Sequence, residues 1–500
     1  MKALQEQERL AQEALEKKLA EEEAERQRIA EEKRRAEEEK RQREEKVRLD
    51  EQAPKYEERV VRMFEVRQAA EKARIKDLPD KYLACDPLPD PEDEKDLTTF
   101  IRLWLENSDK TLKDSVMSCQ TAENVIKSVN GVLAEALSQD DKIKVDWCHK
   151  YIDELRAITL KKFDDVSVAI LRYFEEYSTY TDEELAEMAA QNKHGAKGGQ
   201  ENRIKDLVTL CEESPDLCFG IWANVLAKNM NYKWINYNNR WQSMCPNKSS
   251  GIKLIMRCLW TAYDAVSGRE NQKKASTIVV GGVCYNAQYQ MPESAKPASK
   301  WTMRPIKTND DTLILVPYPL PGSQPEPVQV FFFLPKSVYI HPDDKHTVGV
   351  WDDEKHEWST EYVSDLEYHE PECKLGFSLT KFAPVAYLQA KTTDYPYDSW
   401  YLRSTGDARA LLTIKTKRVT LNIEIQPLYV RLIEAKEPQL AELNDQLMHP
   451  GMLLMELSRR GIHLMPTDED AERGGIHLKD KVAEERAICD IAQTLKAFAF

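Results

Sequence analysis

The sequence lacks the short motifs that mark nucleotide-dependent and hydrolytic enzymes. It contains no GxxxxGK[ST] phosphate-binding loop, no GxGxxG turn that opens a helix, no GxSxG nucleophile elbow and no HExxH zinc motif. The glycine-rich stretch Gly195–Gly199 has no predicted strand before it and no Ser or Thr after Lys197, so it does not indicate a nucleotide site. We therefore expect a non-enzymatic protein without catalytic residues or cofactors.

Cysteine is also sparse, with 10 residues in 500 and no CxxC pair. This density is too low for a disulfide framework, and no His/Cys spacing predicts a metal site. The first residues lack the apolar core of a signal peptide, and no window approaches 18 consecutive uncharged apolar residues. These absences predict reduced thiols, no membrane span and a cytoplasmic location.

Positive charge is not in excess, since 71 Lys and Arg face 86 Asp and Glu, for a net charge of -15. Nucleic acid is therefore not expected as a partner, because binding of phosphates needs clustered Lys and Arg. The first 50 residues hold 14 Lys and Arg and 16 Asp and Glu, a net charge of -2, so the other 450 carry -13. A chain of 500 residues is too long to fold around a single hydrophobic core. We therefore expect several folded units with extended segments between them.

Strong helix formers dominate residues 1–78, where glycine is absent up to residue 75 and Pro54 is the only proline in that stretch. Opposite charges recur at helical spacing, as in Glu31 and Arg35. The apolar seam of a coiled coil lapses between Ile29 and Val47, which favours a solvated single helix over a sustained coiled coil. Fifty helical residues would reach about 75 Å. We predict a long charged helix that acts as an arm.

Prolines interrupt the helical pattern after this arm and predict an extended linker over residues 79–94. Amphipathic patterns then predict a helical domain over residues 95–267, with Asp96 as the N-cap of its first helix. The last helical stripe of this domain consists of Ile255, Cys258, Leu259, Ala262 and Val266.

The apolar period changes from 3.6 to 2 near residue 270, which predicts an antiparallel, β-sandwich-like domain over residues 270–434. Gly281 and Gly282 interrupt a β-branched run and predict a bulge. Two alternating runs of opposite phase require a turn or bulge at residues 415–418. Helical patterns return over residues 435–500. The predicted fold class is α+β and multi-domain: a charged N-terminal helix, a helical domain, an antiparallel β domain and C-terminal helices.

Two groups of residues are candidates for binding a partner. The basic part of the arm is suited to an acidic polymer such as the tails of tubulin, although an ordinary solvated helix face explains it equally well. Its members are Lys33, Arg34, Arg35, Lys40, Arg41 and Arg43. An aromatic stretch between residues 230 and 241 has the composition of a binding hot spot, although the edge of a core explains it about as well. Its members are Trp234, Tyr237, Arg240 and Trp241.

A third cluster of polar residues lies between residues 341 and 356. It combines imidazoles and carboxylates that are able to bind a divalent ion, but Asp and His are also common in turns between strands. We favour the turn and predict no metal site. The cluster consists of His341, Asp343, Asp344, His346, Asp352, Asp353 and His356.

The order of several sequence blocks resembles the cancer susceptibility candidate one family of axonemal dynein intermediate chains. The N-terminal blocks are Cys85-Asp86-Pro87, Pro89-Asp90-Pro91 and Leu97-Thr98-Thr99-Phe100-Ile101-Arg102-Leu103-Trp104. The later blocks are Gly281-Gly282-Val283, Trp351-Asp352, Trp358-Ser359-Thr360-Glu361, Leu375-Gly376-Phe377-Ser378-Leu379, Phe382-Ala383-Pro384-Val385 and Pro396-Tyr397-Asp398-Ser399-Trp400-Tyr401-Leu402-Arg403. Members of this family also open with a helix rich in Glu, Arg and Lys.

This resemblance implies a non-catalytic structural and regulatory subunit of the two-headed inner-arm dynein of cilia and flagella. The implied partners are dynein heavy chains, other intermediate and light chains, and tubulin of the doublet microtubule. Motor activity would belong to the heavy chains. No repeat of about 40 residues indicates a WD-repeat propeller, and the resemblance implies that related chains continue past the position of Phe500. The alternative is a cytoskeletal cross-linker or adaptor that uses the charged arm without dynein.

Overall fold

The chain divides into two compact units, Met1–Asp80 and Lys81–Phe500. A computed structural model describes positions between 25 and 72 of the first unit, continuously over residues 31–44. It describes residues 88–470 of the second unit outside a set of gaps. The gaps are 108–110, 185–204, 206, 225–233, 238–239, 245–253, 294–295, 299–300, 304–311, 343, 407–408, 427–428, 465 and 467–468.

The first unit is helical and exposed at every described position between residues 25 and 72. Helix α1, residues 31–44, is its longest continuously described part. Its composition is almost entirely Glu, Lys, Arg, Gln and Ala, which favour helix but supply no apolar face to bury. The helical prediction is confirmed at these positions. Other parts of the predicted arm, and residues 79–87 of the predicted linker, lie outside the described residues.

The second unit begins with four helices, and their bounds follow in chain order. They are α2 Glu94–Glu106, α3 Leu112–Ser138, α4 Lys142–Arg172 and α5 Phe174–Ser178. The side chain of Asp93 caps α2 by accepting a hydrogen bond from the backbone N–H of Lys95, so the helix begins before the predicted cap Asp96. Thr111 and Asp141 cap α3 and α4 in the same way. Helices α3 and α4 pack along each other and bury one face each in a common core.

From Leu207 onwards, most of the regular secondary structure of the described residues is β-strand. The first nine are β1 Leu207–Glu213, β2 Leu217–Asn224, β3 Trp234–Tyr237, β4 Trp241–Met244, β5 Leu254–Thr261, β6 Thr277–Gln290, β7 Lys296–Ala298, β8 Trp301–Met303 and β9 Leu315–Val316. The next six are β10 Val328–Phe333, β11 Thr347–Asp352, β12 Glu357–Ser359, β13 Val363–His369, β14 Lys374–Leu379 and β15 Pro384–Ala390. The last four are β16 Ser399–Gly406, β17 Arg409–Lys415, β18 Thr420–Ile425 and β19 Val430–Ile433.

These strands form antiparallel sheets of different size. The largest has eight strands in the order β1-β2-β5-β6-β15-β11-β12, with β9 also paired to β6. A five-stranded sheet has the order β13-β14-β10-β4-β3, a four-stranded sheet runs β16-β17-β18-β19, and β7 pairs with β8. Two short helices lie among these strands and after them, α6 Arg269–Lys274 and α7 Pro450–Arg459, with a 3-10 helix at Pro438–Leu443.

The large sheet is buried on both faces, as strand β2 shows. All eight residues of β2 are buried, and they alternate between two cores. Leu217, Phe219 and Ile221 pack with helices α2 to α5, whereas Cys218 and Trp222 pack toward the five-stranded sheet. The second unit, Lys81–Phe500, which we call the body, therefore has three layers in its described part: helices, the large sheet and the five-stranded sheet, in that order. This architecture agrees with the predicted α+β class and its sandwich-like β part.

A separate core lies under the four-stranded sheet. Leu412, Ile414, Leu421 and Ile423 face it from β17 and β18, and the 3-10 helix and α7 close it with Leu440, Leu453 and Leu457. The prediction of helix after Pro438 agrees with the structure at Pro438–Leu443, a 3-10 helix, and at Pro450–Arg459, whereas residues 444–449 and 460–464 are not helical. Residues 471–500 of the predicted C-terminal segment lie outside them.

The prediction of helix up to residue 267 is wrong in its C-terminal part. The described residues change from helix to strand before Leu207, and the stripe assigned to a helix at Ile255, Cys258 and Leu259 belongs to strand β5. A central strand buried on both faces presents an almost continuous apolar run, which also fits a helical stripe. The loop predicted at residues 194–199 lies outside the described residues.

Two predictions about the β part are confirmed. The pairing of β6 with β15 shifts register between Ala386 and Tyr387, which leaves Gly281 and Gly282 as an insertion with positive φ of 76° and 91°. A Cβ on Gly282 would lie 2.2 Å from the carbonyl oxygen of Thr261, so only glycine fits there. The predicted turn at residues 415–418 joins β17 to β18.

Candidate functional site

The basic candidates of the arm all lie exposed on α1. Three of them pair with a glutamate one helical turn away: Arg35 with Glu31 at 3.2 Å, Arg43 with Glu39 at 3.5 Å, and Lys40 with Glu44 at 3.9 Å. The side chains in these pairs are between 56% and 81% exposed, so the pairs support the helix only weakly. Their charge is partly offset within the helix itself.

The other three basic candidates, Lys33, Arg34 and Arg41, make no ion pair with a described residue. At 3.6 residues per turn they lie within about 100° of one another around the helix, with Glu37 between them. Lys33 and Arg41 each lie four residues from Glu37, but none of the three cations forms an ion pair with a described residue. They are therefore the arm residues best placed to meet an acidic surface. The sequence identified the basic cluster, but the ion pairs distinguish its two halves.

The aromatic candidates lie on a hairpin, not at the edge of a helical domain. Strands β3 and β4 pair with each other, and β4 also pairs with β10. Tyr237 is 2% exposed and Trp241 is 1% exposed. The Trp241 ring lies 6.0 Å from that of Phe332 and 6.1 Å from that of Phe377. Both aromatics belong to the core between the two large sheets.

The interpretation of Tyr237 and Trp241 as contact residues is therefore corrected, because alternate positions of a strand face the same side and here that side is the core. Arg240 follows the hairpin turn, where it donates from Nε to Glu213 at 3.0 Å and lies 4.3 Å from the centre of the Trp260 ring. It too is engaged within the fold. For Trp234 the backbone belongs to β3, and its side chain lies outside what the structure describes.

The cluster between residues 341 and 356 is distributed over turns and a strand end. Asp352 accepts a hydrogen bond from the backbone N–H of Glu354 in the β11–β12 turn, and His356 occupies the same turn with a φ of 53°. The His346 ring packs 4.7 Å from that of Tyr368. No group of three or more metal-ligating side chains occurs in the described part of the chain. The turn interpretation agrees with these positions, while Asp343 lies outside the described residues.

Asp344, however, has a role that its place in a polar turn does not indicate. It accepts a hydrogen bond at 2.8 Å from Arg418, which also donates to Asp394 at 3.1 Å and to the carbonyl oxygen of Gly461 at 2.9 Å. Arg418 and Asp344 are 4% and 8% exposed, and Asp394 is fully buried. This buried network, which we call the Arg418 cluster, connects the residue-344 turn, the β17–β18 turn and the segment after α7.

The Arg418 cluster shifts the titration of its neighbours. Burial raises the pKa of Asp394, and the Arg418 guanidinium opposes that change. His463 donates its backbone N–H to Asp394 at 2.8 Å, and burial together with the nearby cations lowers the pKa of its imidazole to about 3. The histidine is neutral at physiological pH. Sequence reasoning identified residues 415–418 only as a turn, since nothing local shows that Arg418 points inward.

None of the helices within the described ranges combines the length and hydropathy needed to cross a bilayer. The described cysteines are free thiols, and most are buried. Of the partner sites predicted from the sequence, the exposed cations Lys33, Arg34 and Arg41 of α1 therefore remain as candidates. The body supplies the buried network described above.

Comparison with known proteins gives two kinds of match. The family model described as the cancer susceptibility candidate 1 N-terminus matches residues 4–196. A Bos taurus protein named dynein axonemal intermediate chain 7 is 22% identical over 535 residues, which covers 84% of this chain and 71% of the bovine protein.

Matches to two other vertebrate proteins of the same name are shorter. The Danio rerio protein is 26% identical over 239 residues, and the Homo sapiens protein is 27% identical over 232 residues. Each of these matches covers 44% of this chain and 32% of the relative. The chain thus spans about a third of the length of these two relatives in the matched region.

Proposed function

We propose that this chain, which is similar to proteins named dynein axonemal intermediate chain 7, is a non-catalytic, structural and regulatory subunit of the two-headed inner-arm dynein. In this role it helps dock the complex on doublet microtubules and regulate ciliary beating. The proposed location is the cytoplasm and the axoneme of cilia or flagella. The observation that carries the proposal is the match to the bovine relative, which extends over 84% of the chain.

The proposed division of labour follows from the two units. The three-layered body offers folded surfaces to dynein heavy chains and to the other intermediate and light chains. The first unit presents a solvated helix with no buried face at its described positions, which is suited to reaching a charged polymer. We propose no catalytic step in this chain.

Direct contact with tubulin is the finer part of the proposal. The acidic tails of tubulin are complementary to Lys33, Arg34 and Arg41, whose charges are not paired on α1 with any described residue. Such contacts are exposed, so salt at physiological strength screens them over about 8 Å. Binding should therefore weaken as salt is raised and depend on intact tubulin tails.

The first test is purification of the tagged full chain from ciliated cells, followed by mass spectrometry of the proteins that co-purify. Inner-arm heavy chains together with other intermediate chains are expected. The same chain carrying neutral residues at positions 33, 34 and 41 serves as the matched control and should retain dynein while losing tubulin. Recovery of tubulin without any dynein chain would instead favour the cytoskeletal cross-linker.

A further inference from the structure

A cavity of about 600 Å³ opens where the helices meet the large sheet and the C-terminal helix. Helices α3 and α4 form one wall, strand β6 and the segment after β5 form another, and α7 with the preceding 3-10 helix forms the third. This volume lies within the range of small-molecule sites and far exceeds the space that a single water needs. None of the candidate residues considered above lines it.

Most charged side chains around the cavity are already paired. Lys127 donates to Asp216 at 2.5 Å, Arg459 to Glu456 at 3.2 Å, and Arg460 to Glu442 at 3.3 Å. Asp264 accepts hydrogen bonds from the backbone N–H groups of Val266 and Ser267 and from the Ser267 hydroxyl. These groups hold the walls together and leave little hydrogen-bonding capacity for a ligand.

Three other polar groups on the same walls are not satisfied. Within the described residues, Oε1 of Glu123 and Nε of Arg156 are buried without a hydrogen-bond partner, and the neighbouring Tyr263 hydroxyl makes no hydrogen bond of normal geometry, although it influences the titration of Glu123. Nε of Arg460, whose other nitrogens donate to Gln439 and Glu442, is a fourth unbonded atom on these walls. Glu123 is 3% exposed and Tyr263 is 9% exposed. The Arg156 guanidinium lies 4.5 Å from the centre of the Tyr263 ring, yet makes no ion pair with Glu123 or another described carboxylate. Buried polar groups in native proteins are nearly always bonded, so a cluster of three needs a partner.

The chemistry of these groups restricts what that partner is. Burial raises the pKa of Glu123 to about 7, although Arg156 and Tyr263 oppose the shift. A carboxyl acceptor and a guanidinium donor thus stand on the same cavity without joining each other. A ligand with a single full charge would be attracted by one of them and repelled by the other. A neutral head that offers both a donor and an acceptor matches the pair without the desolvation of a charge.

The wall formed by residues 447–455 is largely apolar and adaptable. Met448, Met452 and Met455 line the cavity together with Ile126 and Leu447, and the Leu447 side chain is 57% exposed. Methionine side chains adjust to irregular apolar shapes and contact aromatic rings favourably. This wall is suited to the body of a ligand whose head reaches Glu123 and Arg156.

We propose that the cavity binds a small molecule with a primary carboxamide head and an apolar body. The amide N–H groups donate to Glu123, the amide oxygen accepts from Arg156 or Tyr263, and the apolar part of the ligand packs on Met448, Met452 and Met455. The site lies in the folded body and does not depend on the proposed contact with tubulin.

The test uses the full chain labelled with ¹³C at its methionine methyl groups, and three probes of equal size. Benzamide carries the proposed head, while benzoate and benzylamine carry one negative and one positive charge. Benzamide should shift the Met448, Met452 and Met455 methyl resonances saturably, with an affinity at least about tenfold above that of the charged probes. Met117, which is exposed on α3 and does not line the cavity, should not shift.

Two variants locate the binding. Glu123→Leu removes both carboxyl oxygens, Tyr263→Phe removes the hydroxyl alone, and each should weaken benzamide binding by about tenfold or more. Glu135→Leu is the matched control on α3, because Glu135 does not line the cavity. Thermal melting of each variant checks that it is folded. Absence of a saturable shift for benzamide, equal binding of a charged probe, or unchanged binding in a folded Glu123→Leu variant would each overturn the proposal.

Discussion

Two ion pairs of nearly equal length show how differently the two units use charge. In the arm, Arg35 and Glu31 are 3.2 Å apart with side chains 75% and 56% exposed. In the body, Arg418 and Asp394 are 3.1 Å apart with side chains 4% and 0% exposed. Water and salt weaken the first pair, whereas the second stands in a low-dielectric interior where an unpaired charge is costly.

The comparison shows that charged side chains of the arm lie on its surface, whereas those of the Arg418 cluster are packed inside the body. Charges of the arm contribute little to the stability of the fold, because they are exposed to water. Charges of the body are fixed by geometry, since Arg418 donates to Asp344, Asp394 and Gly461 on three separate segments. Changes in the body should therefore affect stability, and changes in the arm should affect binding.

The largest effect is expected from Arg418→Ala. This change leaves Asp344 and Asp394 buried without their common cation, which should lower the free energy of unfolding by about 3–5 kcal/mol. Urea unfolding followed by circular dichroism measures it. The surface control Arg35→Ala should change the same quantity by no more than about 0.5 kcal/mol. If the two variants were equally stable, the contrast between the units would disappear.

Trp241→Ala tests the corrected role of the aromatic hairpin. Loss of a tryptophan that is 1% exposed should cost about 3–5 kcal/mol of unfolding free energy. A contact residue would instead leave stability almost unchanged and weaken only the binding of a partner. Unfolding and pull-down measurements on the same variant, at a temperature where it remains folded, separate these outcomes. Normal stability with lost binding would restore the original interpretation.

The hairpin also illustrates what sequence patterns do and do not determine. The composition of the segment with Tyr237 and Trp241 fits a hot spot as well as a core, because the same aromatic residues dominate both. Only the pairing of β4 with β10, more than eighty residues later in the chain, places these rings inside. Likewise the sequence of the central strand β5 fits a helical stripe, because burial on both faces removes the alternation that marks a strand.

Local signals were reliable where the backbone itself imposes them. The glycine bulge at Gly281 and Gly282 and the turn before β18 follow from φ values and register, which neighbouring residues determine. The Arg418 cluster and the cavity around Glu123 were not predictable, since each assembles side chains from distant segments. In the arm, the sequence showed the positive charge, but the ion pairs on α1 were needed to separate its two halves.

A smaller effect is expected from the ionisation of Glu123. Its folded pKa of about 7 lies above the ordinary value of 4.5, so the folded state binds more protons between these pH values. Stability should therefore fall as pH rises from about 4.5 to about 7, by up to about 3 kcal/mol, and stay level above that range. Glu123→Gln removes the titration.

The measurement is the difference in unfolding free energy between wild type and Glu123→Gln as a function of pH. Arg156, Asp216, Tyr263 and Arg459 face the side chain at position 123 in both proteins, so their own titration largely cancels in this difference. The wild type should lose stability relative to the variant across the stated range. A difference that does not vary with pH would mean that Glu123 titrates normally and that its burial is relieved by water.

The smallest effect on stability is expected in the arm, where the effect on binding should be clear. Replacement of Lys33, Arg34 and Arg41 by Gln removes three cations that pair with no described residue, and replacement of Arg35, Lys40 and Arg43 by Gln removes three that pair with Glu. Both triple variants lose the same formal charge and keep strong helix formers. The first should weaken co-sedimentation with microtubules about tenfold, and the second should weaken it less.

This pair of variants makes the comparison within the arm as sharp as the one between the two units. A difference between them shows that binding uses the face on which Lys33, Arg34 and Arg41 lie, because net charge alone would affect both equally. Glu37→Gln on that face should then strengthen binding about two- to threefold, since it removes a like charge facing the acidic tails. Equal loss of binding in both triple variants would mean that the arm attracts microtubules only through its overall charge. No loss in either variant would mean that the folded body, and not the arm, contacts the microtubule.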